Sequence, residues 1–355
     1  MLVGRVLGGQ QTPPEQPEYF VPPVSASRIE FNWDAMVRWD DILLSKQSPA
    51  PDIERWRSFV RPELDWFATE RFMVGMRLGV EWSSDDNLTN DRRMDNYRSD
   101  NFWIDRAYIQ ASAGAFTFWG GIVPMPIRAT EMLWDHDIQV PGAAVSYFHP
   151  FAPETGLTLT GGYFYGPQRE HDHSHNGAFQ AVLNLGPPGG VFVNWSESFW
   201  TFTNLDNTAT HFIRQNTQGP PGQYASEFRL IDSLVTLTVP IGKVPATLSV
   251  DWVHNFGAIE SEYSNGYEVA LVVGQTGNPG NVQFFNVWQY IEQDAVLGAY
   301  NSDDWWFHTW YDGDRVGVAV TVLPQVVIRP SVVFQHRLDR EHYLNRYLVD
   351  FVKIF

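Results

Sequence analysis

Glu131, Asp135, His136 and Asp137 fall within seven positions of the stretch "IRATEMLWDHDIQVPGA", Ile127 to Ala143. Carboxylates clustered beside a histidine are the groups of acid–base catalysis or of a divalent cation site. The spacing follows no known calcium-loop motif, and the same acids would also suit a solvated loop that only adds negative surface. A second run, "REHDHSHN", places His171, His173 and His175 at alternate positions. In an extended segment the three rings would project to one side and suit zinc, nickel or copper; the plainer reading is a polar loop tip with no metal. There is no G-x-S-x-G elbow, H-E-x-x-H pair, phosphate-binding glycine loop or cysteine nucleophile. Ser146, Ser196, Ser198 and Ser233 have no local histidine partner. Which chemistry applies depends on the elements that position these groups.

The chain has 355 residues, 44% hydrophobic, 15% aromatic and 18% charged, which is too apolar for disorder and enough for one large barrel or a sizeable core. A net charge of -17 argues against nucleic acid, whose phosphates need a basic surface, and favours small solutes or cations. Without cysteine there can be no disulfide, zinc–thiolate site, iron–sulfur cluster or covalently attached haem, so no resident cofactor is expected. No apolar run approaches the roughly 18 residues of a spanning helix. The start, "MLVGRVLGGQQTPPEQPEYFVPP", lacks the apolar stretch of a signal peptide, so an exported chain would be processed or truncated there.

Period-two alternation supplies the positioning elements. In "RIEFNWDAMVRW", Ile29, Phe31, Trp33, Ala35, Val37 and Trp39 alternate with polar residues, and in "FMVGMRLGVEW" Phe72 to Trp82 share a face opposite Arg77 and Glu81. The pattern recurs from Phe179, Ala246 and Arg315. About sixteen such segments of roughly 8 to 14 residues match the length of tilted membrane strands. Short links at 68–70, 113–115, 186–190, 240–245 and 323–325 alternate with long ones near 41–55, 84–101, 126–142, 167–176, 203–225, 257–265, 295–314 and 338–345. Short turns on one rim and long loops on the other mark an outer-membrane barrel. A soluble sandwich also alternates. The membrane reading is favoured by Trp39, Trp56, Trp66, Trp82 and Trp103 near strand ends, as interfacial girdles, and by charges and glycines on the inner face, as a water-filled lumen. The expected fold is a 16-stranded antiparallel transmembrane β-barrel over residues 28–355, with a Pro-rich periplasmic segment at 1–27.

The ending "RYLVDFVKIF" resembles the last strand of bacterial outer-membrane proteins, whose final aromatic, here Phe355, is read by the barrel-assembly machinery. "WIDRAYIQ" (103–110) followed by "GGIVPMPIRATEMLWDHDIQVPGAAVSY" (120–147) resembles the putative porin family of Gram-negative bacteria, with its Asp-Arg-Ala-Tyr strand and later Leu-Trp-Asp-x-Asp loop. The sequence departs from familiar porins in its Pro-rich lead and its aromatic seventh loop, "DDWWFHTWYDGD". The resemblance implies a channel for small hydrophilic solutes and ions in outer-membrane lipid, a homotrimer, and a third long loop folded into the lumen. Strand parity puts Arg61, Arg77 and Arg106 on the inner face of three adjacent strands about 4.8 Å apart. Glu131, Asp135 and Asp137 on the infolded loop would face them across a constriction, in a transverse field that selects solutes. Excess negative charge predicts a mild cation preference. Two other classes fit a barrel: a sleeve around a partner multihaem cytochrome, and a hydrolase using one of the serines.

Overall fold

The computed structural model describes residues 27–43, 52–84, 102–152, 155–166, 173–187 and 190–353. The Pro-rich lead to residue 26, His171 and Phe355 lie outside the described residues. Sixteen strands run in chain order: β1 (Arg28–Leu43), β2 (Ile53–Thr69), β3 (Phe72–Ser83), β4 (Phe102–Ala113), β5 (Phe116–Val123), β6 (Val140–Ala152), β7 (Thr155–Tyr165) and β8 (His175–Leu185). They continue as β9 (Phe192–Thr203), β10 (Phe228–Ile241), β11 (Val244–Asn255), β12 (Asn265–Gly274), β13 (Val282–Ile291), β14 (Tyr311–Leu323), β15 (Val326–Arg337) and β16 (Tyr343–Lys353). Each pairs antiparallel with its neighbours, and β1 closes on β16 from Ala35 opposite Lys353 to Leu43 opposite Asn345. Closure removes both free sheet edges, the condition for strands to cross a membrane.

The alternation of the sequence becomes two surfaces. On β3, Trp82 is 58% exposed on the outside while Glu81 and Arg77 are 6% and 2% exposed inside. Trp56 and Trp66 also face out, as an interfacial girdle requires. Trp103 does not: it turns inward over Gly79, where an added Cβ would stand 2.2 Å from the indole. The inner glycine thus makes room for a ring. The strand ends on one rim are joined by connections of nine or more residues, save the five-residue 338–342; those on the other rim are joined by short links, except 275–281.

Among the described residues, three long loops leave the rim. The third (124–139), the fifth (204–227, with the short helix α1, Asp206–Phe212) and the seventh (292–310) bury side chains within the bore. Trp134 of the third loop stacks between Trp200 of β9 and Tyr300 of the seventh, at centroid distances of 5.7 and 5.1 Å. Met132, Leu133, Val296 and Leu297 are all 1% exposed or less. Part of the expected water-filled lumen is therefore an apolar core built from loops.

Candidate functional site: a charged constriction

Every strand of the arc β14, β15, β16, β1, β2, β3 and β4 sends an arginine inward: Arg315, Arg329, Arg346, Arg38, Arg61, Arg77 and Arg106. Parity alone would turn either Asp105 or Arg106 outward. A register shift between β3 and β4, at Arg77/Leu78, points both inward: Asp105 bonds Arg77, and Arg106 reaches Gln139 of the third loop at 3.1 Å and Glu63 at 3.3 Å.

The arginines of the wall are paired rather than bare. Arg61 donates to Asp34 at 2.7 Å and to Asp137 at 2.6 Å, and Arg77 reaches Asp34 at 3.4 Å. Two of the acids singled out in the sequence lie elsewhere than opposite Arg61, Arg77 and Arg106. Glu131 pairs with Arg315 on β14, and its second oxygen accepts from the Trp305 indole at 3.2 Å. Asp135 joins the two loops: its N–H donates to the Tyr300 carbonyl at 2.7 Å, and its carboxylate accepts from the backbone N–H of Asp137 at 2.9 Å and of Asp303 at 3.3 Å. Burial, followed by the charges of Asp303 and Asp137, holds the Asp135 carboxyl well above the usual carboxylate range.

The seventh loop supplies the rest of the site. Asp304 bonds Arg315 and, at 2.6 Å, Arg38; Asp303 accepts from Arg57 at 3.0 Å and gives its carbonyl to Arg346 at 2.7 Å. Burial alone would raise the Asp304 pKa, but Arg38, Arg315 and Arg329 outweigh it and hold the carboxyl below its usual range. Between wall and loops remains a recess of about 50 Å³, room for a few waters, lined by six carboxylates and four guanidiniums. Its carboxylates are Glu81, Glu131, Asp135, Asp137, Asp303 and Asp304.

The opposite wall, which among the described residues has no inward arginine, holds the third loop with two neutral side chains, Gln180 and Thr236, and two acids, Asp251 and Glu268. Gln180 of β8 accepts the Arg128 N–H at 2.9 Å and donates to its carbonyl at 2.6 Å. Thr130 donates to Asp251 at 2.5 Å, and Glu268 accepts the Met132 N–H at 3.2 Å. Burial pushes the Arg128 guanidinium down to about 9 despite Asp251 and Asp232 nearby.

Asp303, Asp304 and the arginines of β1 and β14 to β16 were missed in the sequence. Inner-face parity could have found the arginines. The run "AVLGAYNSDDWWFHTW" was the signal for the loop, being apolar without strand alternation. Of the histidines, the His175 ring stacks on Tyr163 at 5.5 Å and meets Tyr165 edge-on at 5.0 Å, while His173 is exposed. Among the described residues no group of three or more His, Asp or Glu is placed to hold an ion. Ser146 bonds Thr160, Ser198 bonds Asp232 and Ser233 bonds Glu197.

Residues 35–178 match the family model described as "Putative porin". No curated protein matches the sequence. Among solved structures, OprB of Pseudomonas putida at high pH aligns over 92% of this chain and 94% of its own, with 10% identity and a TM-score of 0.61. OmpF of Salmonella typhi, in complex with daunomycin, aligns over 93% of this chain and 98% of its own, with 10% identity and a TM-score of 0.57. The fold is that of the porins of the Gram-negative outer membrane.

Proposed function

We propose that this porin-fold barrel is a passive diffusion channel of the outer membrane, admitting small hydrophilic solutes and ions past a constriction made by its third and seventh loops. The observation that carries the reading is the pair of ion contacts from one strand, Arg61 to Asp137 and Arg57 to Asp303, by which β2 holds both loops beside the recess. Fixed charges of both signs at a narrow aqueous point orient dipolar solutes and slow apolar ones. Glu131, Asp135 and Asp137 act there with Asp303 and Asp304, whereas Arg61, Arg77 and Arg106 form part of a longer arginine wall. Five carboxylates, with Asp135 a sixth acid whose pKa is raised, against four guanidiniums favour cations mildly. Assembly as a homotrimer, with Phe355 read by the barrel-assembly machinery, completes the proposal.

A bore occupied by the chain's own loops offers no observation in favour of a sleeve around a cytochrome. The test is single-channel current in a planar bilayer under a salt gradient, comparing wild type with Asp135→Asn/Asp137→Asn. Ohmic steps whose cation preference falls in the double variant support the channel and its constriction. Inserted, folded protein that passes no current refutes it.

A further inference from the structure

His308 sits in the seventh loop, 2% exposed, against the fifth. The Asn301 amide fixes its state. Asn301 Nδ2 donates to the His308 carbonyl at 2.5 Å, so the amide oxygen is the atom that faces His308 Nδ1 at 2.6 Å. An amide oxygen only accepts; Nδ1 therefore carries the ring proton and Nε2 keeps its lone pair. That lone pair meets Arg214 Nη1 of the fifth loop at 2.8 Å, and a guanidinium only donates. The two partners together require the neutral ring. A second proton would have to be placed on Nε2, against a positive group, on a buried ring.

The contact lies where the two loops are joined. Gln215 Oε1 accepts the His308 N–H at 2.8 Å, and Asn216 donates to the Gln293 and Val296 carbonyls at 2.8 Å each while accepting the Gly298 N–H at 2.9 Å. Three consecutive residues of the fifth loop thus grip the loop that carries Asp303 and Asp304 to the arginine wall. We propose that His308 and Arg214 form an acid-releasable latch between the fifth and seventh loops, which keeps the seventh loop in the bore at neutral pH and frees it on acidification. Burial and then Arg214 hold the imidazole well below its ordinary range, with Arg346 acting in the same direction and Asp303 against it. The other groups facing the ring, Asn301 and Gln215, are neutral. Each pH unit below the ring's ordinary, unlatched value multiplies the protonated, unlatched population about tenfold, until the gain saturates as pH falls through the depressed folded-state value.

The proposal rests on the channel reading for its current readout, so a second readout is independent of conduction. Single-channel current and amide hydrogen-exchange protection of residues 292–310 are measured from about pH 7.5 to about pH 4.5 on wild type, His308→Gln and Arg214→Gln. Gln keeps the ring's hydrogen-bonding reach without titrating, and Arg214→Gln removes the repelling cation while keeping His308. The expected result is a severalfold wild-type rise in current with loss of protection on acidification, absent in His308→Gln and reduced in Arg214→Gln. The same acid response in wild type and His308→Gln, or none in wild type, overturns the latch while leaving the channel standing. Absence of current at every pH refutes the channel reading instead, and the protection data then decide the latch alone.

Discussion

On the wall from β14 through β16 to β4 each strand sends an arginine into the bore, whereas β5 to β13 hold a single arginine, Arg229, at an exposed strand end. Both walls grip the third loop, the first by ion pairs to Glu131 and Asp137, the second by Gln180, Thr236 and the acceptors Asp251 and Glu268. The difference bears on how strongly each grip depends on its partner. A buried ion is stable only while its counter-ion stays, so the charged wall fails abruptly when one member is lost. A neutral amide fails by the smaller cost of unsatisfied backbone groups.

Arg315→Met should break the comparison most severely, because inside the barrel it removes the ion-pair partner of Glu131 and one of the two of Asp304. The expected loss is about 3–5 kcal/mol, read by thermal unfolding in detergent, together with a larger single-channel conductance as each loop loses one of its anchors. Gln180→Leu on the second wall, a neutral contact, leaves the Arg128 N–H and carbonyl unpaired and should cost about 1–3 kcal/mol in the same assay. Equal losses in the two variants would erase the distinction between the walls.

The pH response sharpens it at the loop contact. Asp135 has a folded pKa above its unfolded value, so its contribution to docking is full below the unfolded value and is lost as pH rises through the folded one. Exchange protection of residues 131–137 should fall with rising pH over that window in wild type and stay level in Asp135→Asn; a parallel fall in both would show another group at work. The smallest effect belongs outside the bore. Arg337→Ala removes the pair with Asp339, whose side chains are 22% and 42% exposed, and should shift stability by less than about 1 kcal/mol.

The strand pattern was legible because a barrel wall separates lipid from lumen residue by residue, and period two records that separation directly. Its limits show at particular residues. Trp103 reads as a girdle aromatic by its place near a strand end, but glycine at position 79 lets it fold inward, a contact made between strands. The third loop's entry was anticipated, and Asp137 does meet Arg61. The pairing of Glu131 with Arg315 spans 184 positions in the chain, and only barrel closure brings the two together. The seventh loop's entry left a compositional trace in its tryptophans but no periodicity, because a plug buried on all sides has no solvent face to alternate with.

The most direct measurement is the single-channel conductance of a variant whose residues 296–308 are replaced by a short Gly-Ser linker, recorded beside wild type in the same bilayer. A constriction built by the third and seventh loops predicts that wild type conducts and that the shortened barrel conducts severalfold more, with its cation preference altered by the loss of Asp303 and Asp304. Equal conductance in the two proteins, with the variant folded and inserted, would contradict it.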